Sequence, residues 1–348
     1  MPIILPNGNA RVLVTGANGY VAAWVVRSLL DQGYIVRGTV RSQNKGEQLK
    51  KVFESDGDRF EYVIVDDFTK EGIFDEIVKD VDAIEHVASP VTESNTDTYE
   101  DPQIYIGPAV KGTISILKSA FEYGTNVKRV VVTSSLAAIL RPLDSPTALD
   151  ERDWGDEWVK LIEEQGKQAP SVYKYFCSKV LSERAAWEFY NTHKAELQWD
   201  LVVINPSHPP LLDFKAVSEV TRSVELWYEY MAKEQPDEIL RSSYNYIDVR
   251  DLANAHVKSL KREAAGGERI IVSGGRSTWQ ETRNVLYASK PQYYASGGLL
   301  PGKPDIQPEI RAIFNTEKAQ RILDIPYKSL EETTLDTLAA FETRGLVV

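Results

Sequence analysis

The chain has 348 residues, of which 43% are hydrophobic and 26% charged. That allows one large domain or two closely joined ones around a sizeable core, and it excludes a disordered or fibrous composition. A formal net charge of −11 repels nucleic acid and anionic lipid over most of the surface, while still permitting a local basic pocket. In chain order, Arg11 to Thr15 is a short β-branched run stopped by Gly16, and Val21 to Leu30 follows as an apolar-faced helix ending near Gly33. Ile35 to Val40, Tyr62 to Val65, Ala83 to Val87 and Val130 to Thr133 are further apolar runs, with helical stretches at Ile73 to Val81 and Val110 to Tyr123. A long helix from about Val172 to His193 precedes a sixth run, Leu201 to Ile204, and a seventh lies at Ile270 to Val272. Strands alternating with helices predict parallel βαβ units in a doubly wound α/β sheet.

After Asn205 the alternation weakens, and Pro206, Pro209 and Pro210 break regular structure. The expected division is a dinucleotide-binding domain over 1–206, its sheet completed by about 245–273, and a smaller substrate-binding lobe over 207–245 and 274–348. One cysteine, Cys177, allows no intramolecular disulfide and fits a reducing compartment. Met1 to Arg11 is too short and polar for a signal peptide, and no apolar run reaches the ~18 residues of a membrane span. A cytoplasmic protein without membrane or nucleic-acid partners is expected.

Thr15-Gly16-Ala17-Asn18-Gly19-Tyr20-Val21-Ala22 sits directly after the first strand and opens the first helix. Gly16 can turn tightly, Gly19 lets backbone approach a pyrophosphate, and the helix start offers N–H groups with a positive dipole end. The context points to a Rossmann-type dinucleotide site. An NAD site usually carries an acid at the end of the second strand for the ribose 2′-hydroxyl. Here Val36 to Lys45 has no acid and three cations. A guanidinium can fork onto a 2′-phosphate, so Arg41, with Lys45 one helical turn on, predicts NADPH/NADP+. Asp67 is placed to accept from the adenine amino group. Asp66 competes for that role, and either could instead cap a helix before Phe74.

Tyr175-Phe176-Cys177-Ser178-Lys179 puts a phenol and an ammonium at i and i+4, on one face of the long helix. A free tyrosine titrates near ~10, too high for easy proton exchange at neutral pH. A neighbouring cation stabilises tyrosinate, and a ~3-unit reduction corresponds to ~4 kcal/mol. Thr133-Ser134-Ser135 ends the fifth strand with hydroxyls at the carboxyl edge, where open α/β sheets bind ligands. Either serine could hold a carbonyl oxygen, and either could be a cap.

These motifs, with Ala88-Ser89-Pro90, Gly112-Thr113, Asn205-Pro206, Tyr246 to His256 and Phe314 to Ala319, resemble the extended short-chain dehydrogenases/reductases. Within them the chain is most similar to the dihydroflavonol reductase and cinnamoyl-CoA reductase group and to fungal NADPH-dependent aldehyde and methylglyoxal reductases. The resemblance spans nearly the whole chain. It implies a catalytic trio of Ser135, Tyr175 and Lys179. Tyr175 would protonate the carbonyl oxygen, Lys179 would also bind the nicotinamide ribose, and Ser135 would orient the substrate. It implies cofactor contacts at Gly16, Asn18, Gly19, Tyr20, Val21, Arg41, Lys45, Asp67, Phe68, Ala88, Thr133 and Pro206, and a substrate pocket including Leu136 and His208. Ser207-His208-Pro209-Pro210-Leu211-Leu212 departs from the family's aliphatic continuation, so His208 either meets a polar substrate or packs on the proline-rich loop.

The expected activity is reduction of small-molecule aldehydes or ketones to alcohols. A nucleotide-sugar epimerase or dehydratase of the same superfamily is the alternative, disfavoured by Arg41 without an acid. A non-catalytic cofactor sensor is another, disfavoured by the Tyr175/Lys179 pair. Asp251 is expected to cap the helix through His256, Trp227, Tyr228 and Tyr230 to form lobe core, His86 and His193 to be structural, and Cys177 to pack. No His/Cys cluster has metal spacing. Arg141 to Pro170 could act as a lid.

Overall fold

A computed structural model describes residues 3–89, 100–209, 222–295, 297–343 and 345, with backbone alone for 222–224. The β-branched runs form β1 (Arg11–Val14), β2 (Ile35–Val40), β3 (Phe60–Ile64), β4 (Ala83–His86) and β5 (Arg129–Thr133), joined by strands Asp200–Pro206 and Arg269–Val272. All seven lie parallel in the order β3-β2-β1-β4-β5, then Asp200–Pro206, then Arg269–Val272. The chain winds outward one way through β2 and β3 and the other way from β4. A crevice therefore opens at the carboxyl ends of β1 and β4, where such sheets bind ligands.

Alternation along each strand feeds two cores. Val12, Val14 and Val36 face α1 (Tyr20–Asp31) and the helix Val249–Lys261. Leu13, Ile84, Val130 and Val203 face α3 (Gln103–Glu122) and α5 (Ser171–His193). Strands buried on both faces read as continuous apolar runs, which is why the sequence shows them.

A third cluster forms the lobe, with Trp227, Met231, Trp279, Leu286, Leu338 and Phe341 packed around Tyr20. Trp227 stacks on Phe341, centroids 5.4 Å apart, and Tyr228 and Tyr230 pack against the same cluster. Strand Ser243–Tyr246 pairs antiparallel with Gly275–Thr278 instead of joining the main sheet. Within 274–348, Ala319, Ile322, Leu323 and Ile325 return to the core beneath α1, so that stretch is not wholly lobe.

Two local expectations fail. Ile73 to Val81 forms successive turns, not a helix. The stretch follows Gly72 and contains Asp80, both at positive φ (76° and 57°), and its amides bond mostly three residues back, closing separate turns in place of a continuous helical ladder. Phe74, Val78 and Val81 are still buried, and they produced the helical pattern. The helix starting at Val249 is capped by Asp248, whose carboxylate accepts from the Arg250 amide at 2.9 Å. Asp251 instead accepts from the Lys328 amide at 2.7 Å.

The stretch from Arg141 to Pro170 is tied to the nucleotide half. Its strand Thr147–Leu149 pairs with Ala312–Phe314. In α4 (Asp156–Gln165), Trp158 stacks on Tyr173 of α5 at 4.7 Å. The Trp154 ring lies under the guanidinium groups of Arg269 (3.6 Å) and Arg184 (4.1 Å).

Candidate active site

Gly16 leaves β1 with φ +64°, a conformation that favours glycine, and a Cβ there would lie 3.1 Å from Ala88 Cβ. Its amide donates to Thr39 Oγ1 at 2.9 Å, and the Gly19 amide donates to the Gly16 carbonyl at 2.8 Å. Ala88 is fixed from below: its amide donates to Thr15 Oγ1 (3.0 Å), which also bonds His86 Nδ1 (3.0 Å). Burial pushes the His86 imidazole down to about 4, so it stays neutral and structural. Gly19 is the N-cap of α1, with no side-chain capping bond and no acid in the first turn. First-turn amides lack intrahelical acceptors and favour an anion. Tyr20 packs into the lobe cluster and Val21 against two cores, so their side chains are engaged in packing. Asn18 is half-buried in the same loop.

At the end of β2 the three cations separate. Arg37 is held by Glu61 (2.7 Å), Asp80 (3.1 Å) and the Ile77 carbonyl (2.9 Å). Arg41 is exposed directly after the strand, and Lys45 is half-buried in α2 (Gln43–Val52). A glycine turn at positive φ with little room for a Cβ, a first turn without acid and cations after β2 fit a dinucleotide bearing a 2′-phosphate.

Asp67 Oδ1 accepts from the Thr69 hydroxyl (2.6 Å) and amide (2.9 Å), which hold its carboxyl below the usual range. Asp66 pairs with Lys70 at 2.7 Å. Neither caps a helix, since none forms there. Phe68 lies against α3, where a Cβ on Gly112 would fall 2.2 Å from its ring.

Tyr175 and Lys179 share one face of α5. Lys179 Nζ lies 5.7 Å from the Tyr175 ring centroid and donates to Ser89 Oγ at 2.9 Å. Lys179 is 7% exposed and Tyr175 half-buried. Lys179, Ser89, Ala88, Thr133 and Ser134 line one small cavity at the carboxyl edge of β4 and β5. The two serines after β5 divide. Ser134 is buried and donates to Glu183 Oε2 at 2.5 Å. Ser135 is half-buried, and its Oγ accepts from the Ala137 amide at 3.1 Å, which leaves its O–H as a donor. The Thr133 hydroxyl turns inward to His256 Nε2 (3.3 Å), whose Nδ1 meets Glu85 Oε2 at 2.7 Å.

Pro206 ends its strand opposite Val272. His208 is zipped onto the lobe: its amide donates to the Asn245 carbonyl at 3.1 Å, and its own carbonyl accepts from Ile247 at 3.2 Å. Its buried Nε2 has no hydrogen-bond partner, burial pushes the ring down to about 4, and Trp279 lies edge-on at 6.4 Å. Leu136 is 8% exposed and packs with Ile139, Leu149 and Ile271. Pro90, Pro210, Leu211 and Leu212 lie outside the described residues.

Cys177 packs with Ile106, Trp158 and Ile162, its thiol pushed up to about 11 by burial. His193 lies between the rings of Phe121 (4.8 Å) and Phe189 (4.7 Å). Among the described residues no group of three or more His, Cys, Asp or Glu is placed to hold a metal, and no helix is long and apolar enough to cross a membrane. The sequence reading missed the buried polar residues behind the site, above all Glu183 and Glu85. Glu183 carried a signal, since it lies four residues after Lys179 on the same helical face.

The chain is similar to known proteins along most of its length. The profile of the NAD dependent epimerase/dehydratase family matches residues 12–274. The NADPH-dependent methylglyoxal reductase GRE2 of Saccharomyces cerevisiae is 32% identical over 341 residues, covering 94% of this chain and 96% of that protein. The ketoreductase azaE of Aspergillus niger is 32% identical over 350 residues, with 95% and 97% covered. The crystal structure of yeast methylglyoxal/isovaleraldehyde reductase Gre2 complexed with NADPH superposes with a TM-score of 0.84 at 30% identity, covering 97% of this chain and 100% of the other.

Proposed function

The chain belongs to the NAD dependent epimerase/dehydratase family, and from its likeness to NADPH-dependent reductases we propose an NADPH-dependent reductase of aldehydes and ketones in which Tyr175 is the proton donor. The observation that carries the mechanism is the Lys179 ammonium 5.7 Å from the Tyr175 ring, beside the crevice that Gly16 opens. When bound, NADPH supplies the hydride that reduces the carbonyl carbon. The backbone from Gly16 to Val21 would hold the pyrophosphate, Arg41 and Lys45 would take the 2′-phosphate, and Asp67, Phe68, Ala88, Thr133 and Pro206 would border the rest of the cofactor.

Ser135 donates its O–H to the substrate oxygen and holds it beside the Tyr175 hydroxyl. As the carbonyl carbon is reduced, its oxygen gains negative charge and takes the Tyr175 proton, giving the alcohol. Lys179 stabilises the phenolate left behind and would also donate to the cofactor ribose. His208, neutral and with one ring nitrogen unpartnered, borders the substrate. The aromatic lobe over this edge suits ketones with an aryl or alkyl group. Residues 207–245 and most of 274–348 are assigned to that lobe, and 1–206 to the dinucleotide domain. The single buried cysteine and the acidic surface suit the cytoplasm.

Purified protein mixed with NADPH and a panel of aryl ketones and aldehydes should bleach the reduced-nicotinamide absorbance. Tyr175→Phe should lower kcat by ~10²- to 10⁴-fold, the range of general acid catalysis. Turnover surviving intact in that variant refutes the mechanism. Recovery of tightly held NAD instead of NADPH would favour an epimerase.

A further inference from the structure

We propose that Glu183 is a positioning residue that sets Ser135 against Tyr175. The proposal rests on the reductase reading above for its chemistry and on the following geometry for its structure. Glu183 is 1% exposed and sits four residues beyond Lys179 and eight beyond Tyr175, so the three form one stripe along α5. Oε2 accepts from Ser134 Oγ (2.5 Å) and Asn205 Nδ2 (2.7 Å). Oε1 accepts from Arg269 Nε (2.5 Å) and Trp187 Nε1 (3.3 Å). Asn205 Nδ2 also donates to the Ser135 carbonyl at 3.1 Å.

One carboxylate on the helix carrying Tyr175 thus grips Ser135 from both sides. It holds the preceding side chain directly and the Ser135 carbonyl through Asn205. The same amide adjoins Pro206, at the end of the next strand. A buried carboxylate needs charge compensation, and Arg269 supplies it while its own Nη1 donates to the carbonyls of Glu151 (2.6 Å) and Asp153 (3.0 Å). An ion pair serving stability alone does not require bonds to both flanks of one serine. Placement of a reacting pair to a fraction of an ångström does, because small misplacements lower rates steeply.

Glu183→Gln leaves one acceptor oxygen for donors on two sides, so its NH2 must face either Ser134 and Asn205 or Arg269 and Trp187, and the grip on one side is lost. Steady-state kinetics should show kcat lower by about 10- to 100-fold, with NADPH affinity by fluorescence titration within about 2-fold. In a Ser135→Ala background the same change should lower kcat by less than about 3-fold, since groups acting through one another are not additive. An equal fold-loss in both backgrounds overturns the proposal. If Glu183→Gln does not fold, Ser134→Ala removes one grip without stranding a charge, and it must show the same non-additivity. Crystal structures of wild type and Glu183→Gln give a readout independent of turnover. Displacement of Ser135 relative to Tyr175 supports the positioning role, and an unmoved Ser135 overturns it. Failure of the wild type to reduce any carbonyl would count against the reductase reading alone.

Discussion

Replacing Lys179 with methionine isolates the charge that the mechanism depends on. As Tyr175 gives up its proton, a phenolate forms with the ammonium 5.7 Å from the ring centroid. At an effective dielectric constant of ~20, two unit charges at that separation attract by about 3 kcal/mol. Losing that stabilisation in the transition state corresponds to a drop of about 10²-fold in kcat. Methionine is unbranched and of similar length, and Lys179 bonds the neutral Ser89 hydroxyl, so its replacement strands no carboxylate there and the melting temperature should fall little. The assay is single-turnover reduction at saturating NADPH, which separates the chemical step from lost ribose binding, with a thermal melt as the folding control. A folded Lys179→Met protein that turns over within about 3-fold of wild type refutes the reasoning.

Arg41→Ala should raise KM for NADPH by about 10- to 100-fold, the value of hydrogen bonds to a charged group, and leave KM for NADH nearly unchanged. Equal effects on both cofactors would remove Arg41 from the 2′-phosphate site. The buried His86, at about 4 against an ordinary ~6.5, takes up a proton in the unfolded chain before the folded one. Stability therefore falls as pH drops through that window, by ~2 kcal/mol at pH 5 from this group. Thermal melts of His86→Gln between pH 7 and 5 should lose about 3 °C less than wild type. Identical slopes for the two proteins would show that His86 does not carry the effect.

The fold was legible because its signals are local and apolar. Strands buried on both faces appear as unbroken β-branched runs, and the Gly16 turn must follow the first of them. The nucleotide loop, the Arg41 position and the Tyr175/Lys179 spacing were legible for the same reason, each being a short motif whose meaning its neighbours fix. Side-chain direction was not legible. Nothing in Thr133-Ser134-Ser135 says that the middle hydroxyl turns inward to Glu183, or that Leu136 is buried. Ile73 to Val81 misled because Phe74, Val78 and Val81 bury at helical spacing on a backbone of separate turns.

The buried charges explain why the site was harder to read than the sheet. Lys174, Lys179 and Glu183 are charged residues of α5, yet all three are buried. Burying a charge is unfavourable unless it is paired or hydrogen-bonded, so each requires specific partners from distant parts of the chain. Lys174 Nζ donates to the carbonyls of Glu100 (2.8 Å) and Lys167 (3.0 Å), fixing the start of α5. Lys179 reaches Ser89 beyond β4, and Glu183 reaches the ends of β5 and of the strand Asp200–Pro206. Apart from Lys167, these partners are distant in sequence, so no spacing rule could name them. The same bonds fix the helix against three strand ends, and that is what a phenol needs if it is to meet a substrate oxygen held by a serine from another element. In this chain the buried charged residues of α5 are the ones that join the chemistry to the sheet.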